Sequence, residues 1–196
     1  MWKALTALAT TLVLAGCAGL HELRADVSTY SQWPTERKPG TYAFERLPSQ
    51  QAHPEQQQTL EDAARRAIEG AGFSPATDPK SADVTVSLGA RITAYDRSPY
   101  DDPFWWHGGL FHSRFYRPYW HTGFGMSFAY PPTINYEREV AVLIRDRRSG
   151  QPLFEARAVN DGYTASDSLL GPMFEAAMKD FPQSGANPHR VVVQTG

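Results

Sequence analysis

The chain has 196 residues, 41% hydrophobic and 20% charged, with a formal net charge of −2. That length suits one domain with its own core and argues against wholesale disorder. The near-balanced charge excludes a protein that works by neutralising a phosphate backbone, so no nucleic-acid partner is expected. The one cysteine, Cys17, excludes an internal disulfide, a cysteine-built zinc site and an iron–sulfur cluster.

Lys3 precedes an uncharged, largely apolar run of thirteen residues, Ala4–Gly16. A membrane-spanning helix needs about 20 residues, so this run has instead the shape of a secretory h-region. It ends in Leu14-Ala15-Gly16-Cys17, which matches the bacterial lipobox. The resemblance to bacterial lipoproteins implies a cleaved signal peptide over 1–16 and a lipid-bearing Cys17 carrying acyl chains such as palmitate. It also implies a tether over 17–26 and a body over 27–196 facing the periplasm. Ala18, rather than Asp, follows the lipidated cysteine and favours the outer membrane.

In the body, Val27–Trp33 has strand content and stops at Pro34, and Thr41–Leu47 is a second short strand stopped by Pro48. Leu60, Ala63, Ala64, Ala67, Ile68 and Ala71 then follow the helical i, i+3, i+4, i+7 spacing. Glu61, Asp62, Arg65, Arg66 and Glu69 fall on the other face. Pro54 and Glu55 suit the first turn, and Gly70 and Gly72 suit the stop.

Ala82–Tyr95 alternates, with Val84, Val86, Leu88, Ala90, Ile92 and Ala94 on one side, as a half-buried strand does. Tyr136–Asp146 carries apolar residues on both faces, the mark of a central strand. Glu137, Arg138 and Glu139 read as a solvated face. Arg147-Arg148-Ser149-Gly150 is a turn, and Gln151–Val159 returns as the hairpin partner. Asn160-Asp161-Gly162 is turn chemistry. A second amphipathic helix is expected over Pro172–Phe181 and a last strand over Arg190–Gln194. The order predicts an α+β fold, a two-layer sandwich of a mostly antiparallel sheet with two helices on one face.

Several spans in this order resemble a family of proteobacterial lipoproteins, domain of unknown function 4136. They are Thr41-Tyr42-Ala43-Phe44, Gly70-Ala71-Gly72-Phe73, Ala82-Asp83-Val84, Val142-Leu143-Ile144-Arg145-Asp146 with Ser149-Gly150 and Leu153-Phe154, and Met173-Phe174-Glu175-Ala176-Ala177-Met178 before Phe181-Pro182. The resemblance implies envelope location and the α+β fold. It implies no activity, no cofactor and no catalytic residues.

Between the central strands, Tyr95–Tyr136 holds 14 of the chain's 24 aromatic residues. A loop of that length is either functional or disordered. Trp105, Trp106, Phe111, Tyr116, Tyr119 and Trp120 are residue types that meet proteins, glycans or lipid through flat apolar faces. The plainer reading is a flap packed on the sheet's uncovered face. His107, His112 and His121 are the weak alternative of a metal site, at spacings of five and nine that match no helical or strand ligand pattern. The expectation is a non-enzymatic outer-membrane lipoprotein acting in envelope structure or assembly through protein contacts. The alternatives are a module binding a glycan, peptidoglycan fragment or lipid through the insert, and a metal-dependent hydrolase.

Overall fold

The computed structural model describes residues 22–97 and 133–195. Seven strands form one mixed, mostly antiparallel open sheet: β1 (Glu22–Ser31), β2 (Thr41–Phe44), β3 (Ser74–Pro75), β4 (Val84–Arg97), β5 (Thr133–Asp146), β6 (Pro152–Gly162) and β7 (His189–Gln194). Among the described residues three α-helices accompany it: α1 (Pro48–Gln51), α2 (Pro54–Gly70) and α3 (Leu170–Ala177). The spatial order is β3-β2-β4-β5-β6-β1-β7; β2 runs parallel to both its neighbours, and the other pairings are antiparallel.

The long hairpin β5–β6 and its pairing with β4 form the centre of the sheet, as the two-faced apolar content of β5 predicts. The turn between them closes with Gly150 at φ +71°, a conformation that L side chains rarely adopt. Period-two alternation carries Val27, Val86, Val142, Ile144, Phe154, Ala156 and Val191 to one face, where they pack with Ile68 of α2 and Met173 and Phe174 of α3 in a single cluster. The opposite face carries an exposed ladder of charge. Arg91 Nη2 and Arg157 Nε sit 2.7 and 2.8 Å from the Glu139 carboxylate.

The structure departs from the sequence reading in places, each with a local cause. β1 begins at Glu22, five residues ahead of the expected start, because Glu22–Asp26 pair with Arg190–Gln194. The second half of the expected tether, 22–26, is therefore sheet. β4 is buried only as far as Leu88; beyond it Ala90, Ile92 and Ala94 are exposed, since no helix among the described residues covers them. Asn160-Asp161-Gly162 does not turn but ends β6, held in register against Tyr136, Glu137 and Arg138. Helix α3 starts at Leu170 and ends at Ala177, before Phe181. Pro172 falls in its first turn, where a missing N–H breaks no helical bond. Glu61 is buried on α2 because Arg46 meets it with two hydrogen bonds, Nε–Oε1 at 2.6 Å and Nη2–Oε2 at 2.7 Å.

Candidate functional site

The residues singled out in the sequence fall outside the described part of the chain. These are the lipid-attachment residue Cys17 with Leu14, Ala15 and Gly16, the contact residues Trp105, Trp106, Phe111, Tyr116, Tyr119 and Trp120, and the histidines His107, His112 and His121. What is described is the platform from which the insert departs and the start of the first strand. Arg97 pairs with Thr133 at the end of the β4–β5 ribbon. Ala94, Tyr136 and Gly162 lie in one row across β4, β5 and β6, and the register of β1 on β6 sets Glu22 about one residue beyond that row.

A buried arginine organises this end of the sheet. Arg138 is 3% exposed. It is in phase with Val140, Val142 and Ile144, so the alternation of β5 turns it to the core face, while Glu137 and Glu139 face the other way. The reading of Glu137-Arg138-Glu139 as one solvated face is thus corrected, and the missed signal was the phase of the valines. Arg138 donates from Nη2 to Asn160 Oδ1 at 2.8 Å and from Nη1 to the carbonyl of Thr164. Asn160 Nδ2 in turn donates to the carbonyl of Arg24 at 2.7 Å, so one guanidinium links β5, β6, β1 and the chain after β6. Burial lowers the pKa of Arg138 and the charge of Asp161 opposes that shift. Gly162 leaves the space that the guanidinium fills.

A second polar constellation lies at the opposite end, where Thr29 is wholly buried. Its hydroxyl donates to Asp180 Oδ2 at 3.0 Å and accepts from Gly185 N at 2.8 Å. Its backbone exchanges two 2.7 Å hydrogen bonds with the side-chain amide of Asn187. His189 places Nε2 3.3 Å from Asp180 Oδ1 and Nδ1 2.7 Å from the carbonyl of Ala186. A hydroxyl, a carboxylate and an imidazole meet here, but both of the hydroxyl's hydrogen bonds go to groups other than the imidazole. The imidazole does not reach the hydroxyl, whose proton is directed at the Asp180 carboxylate, and the arrangement pins the 180–189 segment to β1.

An open cleft of about 490 Å³ lies between β2 and α2, lined by Tyr42, Phe44, Arg46, Gln51, Glu61 and Arg65 among others. Burial raises the pKa of Tyr42, and Arg65 and Glu69 act on it in opposite directions. The cleft is at the far end from the insert, since Tyr42 pairs with Val84 and not with the outer half of β4. Among the described residues, no three or more His, Cys, Asp or Glu side chains are grouped to hold a metal. Among the same residues, no helix is long and apolar enough to cross a membrane.

The profile of the family described as "Domain of unknown function (DUF4136)" matches residues 26–183, so the chain belongs to that family. No curated protein matches the chain. A PDZ domain protein from Parabacteroides distasonis superposes with a TM-score of 0.53 at 9% identity. The match covers 88% of this chain and 38% of that one, so the chain spans well under half of that protein, and the likeness concerns the fold alone. A PelC dodecamer from Paraburkholderia phytofirmans is similar at 13% identity and TM-score 0.39, covering 79% of this chain and 94% of that one. A DUF4136 family protein from Bacteroides thetaiotaomicron is similar at 14% identity and TM-score 0.35, covering 80% and 96%. At those scores neither bears on function.

Proposed function

We propose that this DUF4136 member is a non-enzymatic outer-membrane lipoprotein. Its periplasmic α+β body is a two-layer sandwich that acts in envelope structure or assembly by contact. The observation that carries the reading is the spacing of Leu14-Ala15-Gly16-Cys17 ahead of Glu22, the first residue of β1. A lipid on Cys17 reaches Glu22 in five residue steps, at most about 18 Å, so the body is held close to its membrane. Three acyl chains anchor stably where one does not. The buried polar groups of the body support the contact reading. Buried Arg138 hydrogen-bonds to Asn160 and the Thr164 carbonyl, and buried Thr29 to half-buried Asp180 and exposed Asn187, so these groups hold strands together.

The test is acyl labelling of the full chain in a Gram-negative host. The parent takes up labelled palmitate and sediments with outer membranes. Cys17→Ala takes up none and is lost from that fraction. Label retained by Cys17→Ala overturns the anchor. The cleft over Tyr42 and Phe44 favours a second reading, a small-ligand module. Muropeptide binding that falls on Phe44→Ala would establish it in place of pure contact.

A further inference from the structure

We infer that the end of the sheet bearing Ile92, Tyr163 and Val192 is a membrane-facing surface that rests on the lipid headgroups of the bilayer in which Cys17 is anchored. The inference rests on the lipid-anchor reading above, and strand register carries it. Glu22 opens β1 level with the residue after Gly162, and Gln194 closes β7 opposite Glu22. Tyr136 opens the β6-paired part of β5 opposite Gly162, and Ala94 of β4 lies opposite Tyr136. Five strands therefore end on the side where the chain comes from Cys17. The β4–β5 ribbon continues past Glu22 by about two residues to Arg97 and Thr133, roughly 7 Å along the strand direction. A tether of at most about 18 Å leaves little gap for that ribbon to cross.

The exposed side chains at this end suit the site. Five large hydrophobic residues are exposed among the described ones, and three of them lie here: Tyr163 at 73%, Val192 at 46% and Ile92 at 37%. Val192 is opposite Arg24, and Ile92 is opposite Arg138. Arg24 and Arg91 hold exposed guanidinium groups in the same region. An aromatic ring with a polar tip, aliphatic side chains and arginines with long stems are the residue types that settle at a membrane–water boundary. The other end presents the turn Arg147–Gly150 and the Asp78–Ser81 segment, which are polar and charged. The long axis of the strands thus runs from bilayer to periplasm, and the end of the sheet from which the chain enters residues 98–132 is the proximal one.

The experiment uses the full lipidated chain in phosphatidylethanolamine–phosphatidylglycerol vesicles containing a headgroup-borne spin label. Lipidation consumes the only native thiol, Cys17, so Tyr163→Cys and Ser149→Cys each offer one thiol for a fluorophore. The two positions are about 40 Å apart along the strands, and quenching at 163 should exceed that at 149 by about threefold or more. Equal quenching, or stronger quenching at 149, in chains that float with the vesicles overturns the orientation and leaves the anchor standing. Chains that carry no lipid and do not float overturn the anchor and the orientation together.

Discussion

Two side chains decide how the ends of the sheet are held. A Cβ at Gly162 would overlap the Arg138 guanidinium, which is buried and fixed by Asn160 and the Thr164 carbonyl. Gly162→Ala is expected to destabilise by about 1–3 kcal/mol in urea unfolding, as overpacking does. Gly70→Ala has nothing within 4 Å of its new methyl, and is expected to be neutral or to stabilise by up to about 1 kcal/mol. Equal effects would mean that the guanidinium moves aside freely. At the other end, Asp146 accepts hydrogen bonds from Ser149 N at 2.9 Å and Arg37 Nη1 at 2.8 Å, which hold its carboxyl well below the usual carboxylate range. A depressed folded pKa gives stability that is present above the unfolded pKa of about 4 and is lost as pH falls toward the folded value. The stability gap between parent and Asp146→Asn should therefore be widest near neutral pH and close in acid. A gap constant from about pH 6 to pH 2 would show that the charge of Asp146 is not linked to folding. Both features were partly legible. The turn at Arg147–Gly150 was evident from its glycine, whereas the inward direction of Arg138 needed the phase of Val140 and Val142 to outweigh its charge.

At the scale of elements, the readable parts are those long enough to show a period. Helix α2 spans five turns, and its expected core residues Leu60, Ala64, Ala67 and Ile68 are buried. α1 and β3, at four and two residues, are too short to carry a period. The contact that joins the elements was equally invisible, because its members are far apart in sequence. Phe181, just past α3, packs edge-on against Trp33 at 4.9 Å and Phe154 at 5.2 Å, and is tilted against Phe73 at 5.2 Å. These rings join the chain after β1, the end of α2, strand β6 and the chain after α3. Phe154 is 1% exposed, so Phe154→Ala removes a full ring from a closed cluster and should cost about 3–5 kcal/mol. Near-ultraviolet circular dichroism of Trp33 should weaken with it. A loss below about 1 kcal/mol would mean the four-ring cluster collapses around the gap.

For the whole molecule, the question is whether the sheet needs a cover on its charged face. The reading of the insert as a flap requires one. The described face argues against that need. Arg91 and Arg157 are paired on Glu139, Arg190 is paired on Asp26 at 3.1 Å, and no buried side-chain polar atom lacks a partner among the described residues. Exposed pairs of this kind are worth little in water, but they also leave no desolvated charge for a flap to relieve. Arg97 and Thr133 are direct partners, so a two-residue Asn-Gly turn can replace residues 98–132 and keep the β4–β5 register. That shortened chain should fold, with a urea midpoint close to the parent's and unchanged far-ultraviolet circular dichroism. A fall of more than about 2 kcal/mol would instead assign the insert to the body's own packing, since apolar burial of that order needs on the order of 80 Å² of covered surface. If stability holds while quenching at position 163 falls in lipid-anchored chains, the insert belongs to the membrane-facing end and the sheet supports it.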